Sequence, residues 1–159
     1  VDIGASITRL NIFYNGESVY TRDQPFGGDQ LTQKIQSQFN LTYEEAEAAK
    51  RNGNLPRYYH TDVLQPFCGT LALEVTRALQ FFFTSTPYTQ VNYIFLSGGC
   101  ALIPGLEQAV AEHTQVITQI INPFADMELS NRISLKQLKI DTPLLMIACG
   151  LALRSFDPS

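Results

Sequence analysis

The 159 residues carry 11 Lys and Arg against 15 Asp and Glu, a formal net charge of −4, and 45% of them are hydrophobic, with ten Phe and seven Tyr. That balance excludes a disordered chain, which has too little apolar surface to bury, and a general nucleic-acid binder, which needs clustered Lys and Arg to neutralise phosphates. The length suits one sizeable core or two small subdomains.

In chain order, Val1 to Ile3 reads as a strand end. Ile7 to Tyr14 reads as a second strand, with Leu10, Ile12 and Tyr14 alternating. Asn15-Gly16 tolerates the positive φ of a two-residue hairpin turn, and Glu17 to Arg22 returns as a third strand. Gly27-Gly28 breaks that pattern. Asp29 is placed to cap a helix bearing Leu31, Ile35 and Phe39. Thr42 with Glu45 forms a capping-box pattern that opens a second helix, ending near Asn52-Gly53. "NLPRYYHTD" reads as a loop.

A long helix is predicted from about Asp62 to Thr84, with Pro66 tolerated in its first turn and Leu71, Val75, Ala78, Leu79 and Phe82 forming a 3.6-residue stripe. The run Phe81-Phe82-Phe83 reads as core packing. Val91 to Ser97 is near-continuously apolar and predicts a central strand buried on both faces. A helix from Pro104 to His113 and a strand from Val116 to Ile121 follow. Residues 125–141 give no clear assignment, and Thr142 with Pro143 predicts the start of a last helix running to Leu153. Strands in a meander followed by alternating helices and strands predict an α/β fold, a mixed five-stranded sheet with helices on both faces. No apolar run reaches membrane-spanning length. Cys68, Cys100 and Cys149 are far apart with no metal-ligand spacing, which predicts free, mostly buried thiols.

Four places could carry chemistry. In "VDIGASIT", Asp2 at a strand end followed by Gly4, Ala5, Ser6 and Thr8 can form an anion nest beside a carboxylate suited to water-mediated Mg²⁺; an ordinary hairpin entry with a solvated Asp reads equally well. In "LSGGCALIPG", a strand feeds Gly98-Gly99 and then a helix start, where bare backbone admits a flat ring or a phosphate. A plain strand-to-helix turn needs only one such glycine. Glu47 and Lys50 share a helix face at i, i+3, as any surface ion pair would. Gly150 within "MIACGLAL" predicts a close approach of another backbone to that helix.

Taken in order, these pieces resemble the second half of an actin-like nucleotide-binding protein, the superfamily of actin, chaperone ATPases and sugar kinases. "VDIGASIT" resembles its second phosphate motif, "YIFLSGGCALIPGLEQ" its adenosine motif and "PLLMIACGLAL" its second connecting helix. "FGGDQLTQKI" and "EEAEAAK" resemble matching segments of FtsA-type and chaperone-type members. "YTRDQPFGGDQLT", "LQFFF", "NPFADM" and "MIACGLALRSFD" narrow the resemblance to the PilM family of type IV pilus assembly proteins, over Val1 to Asp157.

The resemblance implies an actin-like (RNase H-like) core from residues 1–40 and 61–157, whose last helix, 142–154, packs toward a first half not contained in these residues. Residues 41–60 would be a small inserted helical segment. It implies an ATP- or ADP-binding scaffold with Mg²⁺ and at most slow ATPase activity, serving pilus assembly and twitching motility. Asp2 would sit by the Mg²⁺ and its waters. Gly4, Ala5 and Ser6 would offer backbone to the phosphates, with Thr8 lending a hydroxyl. Gly98, Gly99 and Cys100 would border the α-phosphate and adenosine, Ile103 would flank the base, Glu47 and Lys50 would reach ribose and adenine, and Gly28 would lie at the rim. Cys100 stands where many relatives have serine or threonine.

The implied partners are the cytoplasmic N-terminal tail of the inner-membrane protein PilN, bound mainly through the first half, and other proteins of that complex. No nucleic acid and no direct membrane insertion are implied, and the location would be cytoplasmic, peripheral to the inner membrane through partners. The alternatives are a small-metabolite kinase of the superfamily, an FtsA-like cell-division protein and a nucleotide-free interaction module. "LRSFDPS" carries no amphipathic membrane helix of the FtsA kind.

Overall fold

The computed structural model describes residues 1–154; the last three residues of "MIACGLALRSFD", and with them the end of the 61–157 span, lie outside the described residues. β1 (Asp2–Ile3) runs antiparallel to β2 (Thr8–Tyr14), which turns through Asn15-Gly16 into β3 (Glu17–Gln24). Asn15 and Gly16 both take positive φ, 50° and 83°, the geometry that lets a two-residue turn match the strand twist. β4 (Tyr93–Leu96) and β5 (Ile117–Ile120) form a parallel pair. The expected five-stranded sheet is therefore built as ladders of three and two strands, because β1 is only two residues long. Backbone bonds join them: Ile3 N–H donates to the Ser97 carbonyl and Ser97 N–H to the Val1 carbonyl, each at 2.8 Å. The order across the molecule runs β3-β2-β1-β4-β5.

Six helices complete the described residues: α1 (Gly28–Phe39), α2 (Tyr43–Asn52), α3 (Gln65–Ser85), α4 (Leu106–Thr114), α5 (Leu135–Asp141) and α6 (Met146–Leu153). Gly27, not Asp29, caps α1, and its N–H donates to Gln30 Oε1 at 2.7 Å. The Thr42–Glu45 capping box of α2 forms as the sequence predicts, and Gly53 closes that helix at φ 69°. The predicted loop before α3 is shorter than expected, because a π turn over His60–Leu64 leads directly into the helix. Pro66 has no N–H to donate and crowds a normal preceding turn. The wider turn ends just before it, with Gln65 N–H reaching the His60 carbonyl.

Ile3, Leu10, Ile94 and Leu96 from the strands join Leu31 and Ile35 of α1, Leu71, Val75 and Leu79 of α3, and Leu106 and Val110 of α4 in one core. Two apolar readings fail in part. Phe82 is buried, but Phe81 is 53% exposed beneath the Arg22 guanidinium, which lies 5.0 Å from its ring centre. β4 buries only Ile94 and Leu96, while Tyr93 and Phe95 face outward. That outward face borders a groove of about 770 Å³ lined by Phe13, Tyr93, Phe95, Pro143, Leu144 and Ile147.

The C-terminal part departs most from expectation. Ser134 caps α5 in the unassigned stretch, its Oγ accepting from Gln137 N–H at 3.4 Å. Thr142 does not start α6 but closes α5: its N–H and its hydroxyl both donate to the Leu138 carbonyl, the hydroxyl at 2.6 Å, and Pro143 lies in a 3₁₀ turn over Thr142–Leu144. α6 buries no residue, and a Cβ added at Gly150 would meet nothing within 4 Å among the described residues. Among the described residues, no element makes the close approach predicted at Gly150.

Three substitutions test this packing by thermal or denaturant unfolding. Leu71→Ala, at a fully buried site of α3, is expected to destabilise by about 2–5 kcal/mol. Gly69→Ala is expected to stabilise by about 0.5–1 kcal/mol, because an added Cβ meets nothing within 4 Å and the helix interior disfavours glycine. Gly27→Ala is expected to destabilise by about 2 kcal/mol or more, because its Cβ would lie 2.5 Å from the carbonyl oxygens of Gly4 and Ala5. Equal stability of the Gly27 and Gly69 variants would contradict this reading of the two glycines.

Candidate functional site

Three backbone segments converge at one end of the strands. The loop after β1 closes on itself through Gly4 N–H to the Ile7 carbonyl at 3.0 Å. The start of α1 docks on that loop, with Gly28 N–H donating to the Gly4 carbonyl at 3.0 Å and Asp29 N–H to the Ala5 carbonyl at 2.7 Å. The turn after β4 docks on its other side, with Cys100 N–H donating to the Ile3 carbonyl at 3.1 Å. The contacts are backbone against backbone, and the sequence supplies residues without side chains where they are closest. A Cβ at Gly28 would lie 2.6 Å from Cys100 Sγ, and one at Gly98, which has φ +87°, would lie 2.5 Å from the Ile3 carbonyl oxygen.

Gly4, Gly28 and Cys100 are thus brought into contact, and Cys100 Sγ reaches the Gly4 carbonyl at 3.4 Å. Asp2, half-buried, sits beside Ser97 and Gly98; its Oδ1 accepts from Ser97 Oγ at 3.4 Å. Ala5 and Ser6 lie exposed on the loop, and Gly99 is exposed on the turn. Ile103 follows one turn later, partly buried, its N–H donating to the Cys100 carbonyl at 3.1 Å. Thr8 stands apart from its expected role. Its side chain is buried and its hydroxyl donates to the Phe26 carbonyl at 2.7 Å, so it anchors the start of β2 and brings no proton to the open loop.

Glu47 and Lys50 come together on α2, and they are not the surface ion pair the spacing alone allows. Each side chain is only about a fifth exposed, and Lys50 Nζ donates to Glu47 Oε1. Thr32, on α1 and fully buried, meets both: its hydroxyl bonds to Glu47 Oε1 and accepts from Lys50 Nζ at 2.8 Å. Tyr43 OH adds a second tie from α2 to α1 by donating to Asp29 Oδ1 at 3.3 Å. Sequence reasoning missed Thr32 and Ser97. Thr32 leaves a signal, a polar residue inside the apolar Leu31–Ile35 stripe, but which partner it takes is set by the docking of α2.

Burial pushes the Glu47 carboxyl up, but the hydrogen bonds from Lys50 and Thr32 and the Lys50 charge outweigh it and hold the group below the usual glutamate range. Burial pushes the Cys100 thiol up, only partly offset by Lys50. The thiol is therefore neutral near neutral pH and a poor nucleophile. Because Glu47 titrates lower in the folded chain than in the unfolded chain, its contribution to stability is present above the ordinary glutamate pKa. It is lost as pH falls through the lower folded value. Thermal melts of the wild type and Glu47→Gln from about pH 7 to about pH 3 should show a stability difference that is greatest at neutral pH and shrinks on acidification. A difference independent of pH would contradict the assignment.

Among known proteins, the family model for the type IV pilus assembly protein PilM matches residues 1–156. Among solved structures, a "PilM-PilN type IV pilus biogenesis complex" is similar with a TM-score of 0.82 and 29% identity, over 99% of this chain and 45% of that chain. The ethanolamine utilization protein EutJ from Carboxydothermus hydrogenoformans is similar with a TM-score of 0.67 and 22% identity, over 96% of this chain and 47% of that one. The activator of the 2-hydroxyisocaproyl-CoA dehydratase from Clostridium difficile, solved with bound ADPNP, follows at a TM-score of 0.51 and 13% identity, over 99% and 62%. The last two share the fold. The chain spans less than half the length of the first two chains it matches. Its fold is that of the actin-like proteins, and with the family match running almost end to end, the chain belongs to the type IV pilus assembly protein PilM family.

Proposed function

We propose that these residues form the second half of an actin-like, ATP-binding cytoplasmic scaffold of the type IV pilus inner-membrane complex. One observation carries the reading: the loop of Gly4, Ala5 and Ser6, the Gly98–Cys100 turn and the Gly28 end of α1 meet as bare backbone, with Glu47 and Lys50 held nearby. A phosphate chain needs close backbone approach and N–H groups. The Gly4 and Ala5 carbonyls already take the first N–H groups of α1, so the exposed backbone of Ala5 and Ser6 is what the loop has to offer. Asp2, the carboxylate beside that loop, suits Mg²⁺, which prefers few carboxylates with waters and phosphate oxygens. When bound, the metal would neutralise phosphate charge. Gly98, Gly99 and Cys100 would border the α-phosphate and nucleoside, Ile103 the base, and Glu47 and Lys50 the ribose and adenine.

Hydrolysis would be slow at best, because phosphoryl transfer depends on in-line positioning of water and the loop offers backbone rather than a base. The uncovered side of the fold fits a two-half protein. α6 leaves Ile147 69% and Leu151 60% exposed, beside the apolar groove along β4. In this reading the last helix packs toward the other half, α2 lies in the small inserted segment, and nucleotide state sets how the halves meet. The partner of this scaffold would be the cytoplasmic tail of PilN, since a structure 29% identical over 99% of this chain is a PilM-PilN complex.

The test is calorimetric titration of ATP with Mg²⁺ into the full-length protein. Saturable binding is expected, with affinity reduced about tenfold or more when Asp2→Ala and Lys50→Ala are combined. Unchanged affinity in that variant would remove these residues from the site, and no binding by the wild type would remove the nucleotide.

A further inference from the structure

We infer that Thr32 is a positioning residue for nucleoside binding, acting through Glu47 and Lys50 rather than by touching the ligand itself. The inference rests on the nucleotide-binding reading above and goes beyond it, because that reading gives Thr32, which lies within "FGGDQLTQKI", no part in the site.

Thr32 lies one turn into α1, four residues after Gly28, and is fully buried. A hydroxyl has one proton and two lone pairs. One lone pair takes a proton from Lys50 Nζ at 2.8 Å. The hydroxyl proton lies between two acceptors, the Glu47 Oε1 it meets at short range and the Gly28 carbonyl at 3.2 Å. Thr32 and Lys50 therefore converge on the same carboxylate oxygen, Oε1. Among the described residues, Oε2 of Glu47 and the third proton of Lys50 take part in no hydrogen bond, and both side chains are about one-fifth exposed. The pair is left with one acceptor and one donor side by side, the complement of a nucleoside's hydroxyls or of an adenine edge.

Among the described residues, Thr32 is the one residue of α1 to which the Glu47 and Lys50 side chains hydrogen-bond; the Tyr43–Asp29 bond ties the helices but not this pair. Without Thr32, an ammonium and a carboxylate three residues apart on a helix would form an ordinary fork, each using the groups now left over. The same hydroxyl also reaches the Gly28 carbonyl, and Gly28 N–H holds the Gly4 loop. Thr32 thus links the nucleoside-facing pair to the backbone cradle for phosphates, fixing the distance between the two ends of one ligand.

The experiment is a double-mutant cycle on the full-length protein, read by calorimetric titration of ADP with Mg²⁺ and accompanied by thermal melts. Thr32→Val keeps the buried shape and removes the hydroxyl. It is expected to weaken ADP binding about tenfold, and Thr32→Ser is expected to restore most of the loss. In a Glu47→Gln, Lys50→Met background the same Thr32→Val change is expected to have no further effect, because the groups it positions are gone. A loss of equal size in both backgrounds would mean a structural role only and would overturn the inference, as would unchanged ADP binding by Thr32→Val while the wild type binds. Failure of the wild type to bind ADP at all would instead strike the nucleotide reading, and this inference with it.

Discussion

The fold depends on a contact between backbones. Three segments far apart in sequence, the loop after β1, the start of α1 and the turn after β4, are joined by main-chain hydrogen bonds of 2.7 to 3.1 Å. That approach leaves no room for side chains. Gly27 faces the Gly4 and Ala5 carbonyls, Gly98 faces the Ile3 carbonyl, and Gly28 faces a thiol. Buried amide and carbonyl groups left unpaired would be costly, and here each segment satisfies another. The same closeness makes the junction a place where a phosphate could meet peptide groups directly.

Around that junction the molecule is two-sided. One sheet face is sealed by α1, α3 and α4 through Leu31, Ile35, Leu71, Val75 and Leu106. The other face presents Tyr93 and Phe95, with α6 beside it carrying apolar residues and burying none. Isolated exposed apolar residues are ordinary, whereas a contiguous apolar face with a groove marks a surface made to be covered. The proposal that the other half of a longer protein covers it accounts for why α6 is apolar all round. A surface helix normally carries a polar side.

The polar interior has its own logic. Thr32, Glu47 and Lys50 form a small network between α1 and α2 in which the charged groups are paired and the buried hydroxyl is satisfied. Charges that are largely withdrawn from water persist only when paired in this way. The network holds the Glu47 carboxyl below the usual glutamate range despite its burial, which favours a hydrogen-bond acceptor at the edge of the candidate site.

Much was legible in the sequence because it depends on neighbours in the chain. The Asn15-Gly16 hairpin, the Thr42–Glu45 box and the Leu71–Phe82 stripe all formed as local pattern dictates. The glycines at 28 and 98 and the Glu47–Lys50 spacing also marked where a site could lie. Other features were hidden because distant packing decides them. Whether β4 is covered on both faces, whether Thr142 caps a helix or closes one, and whether Gly150 meets a neighbour turn on which elements dock where. The role of Thr8 was set by the Phe26 carbonyl, and that of Thr32 by a helix that begins 11 residues later at Tyr43. Turns, caps and amphipathic stripes are settled within a few residues by φ/ψ and periodicity. The partner of a hydroxyl and the exposure of a strand face are settled by packing between segments far apart in the chain, so only the tertiary structure decided them.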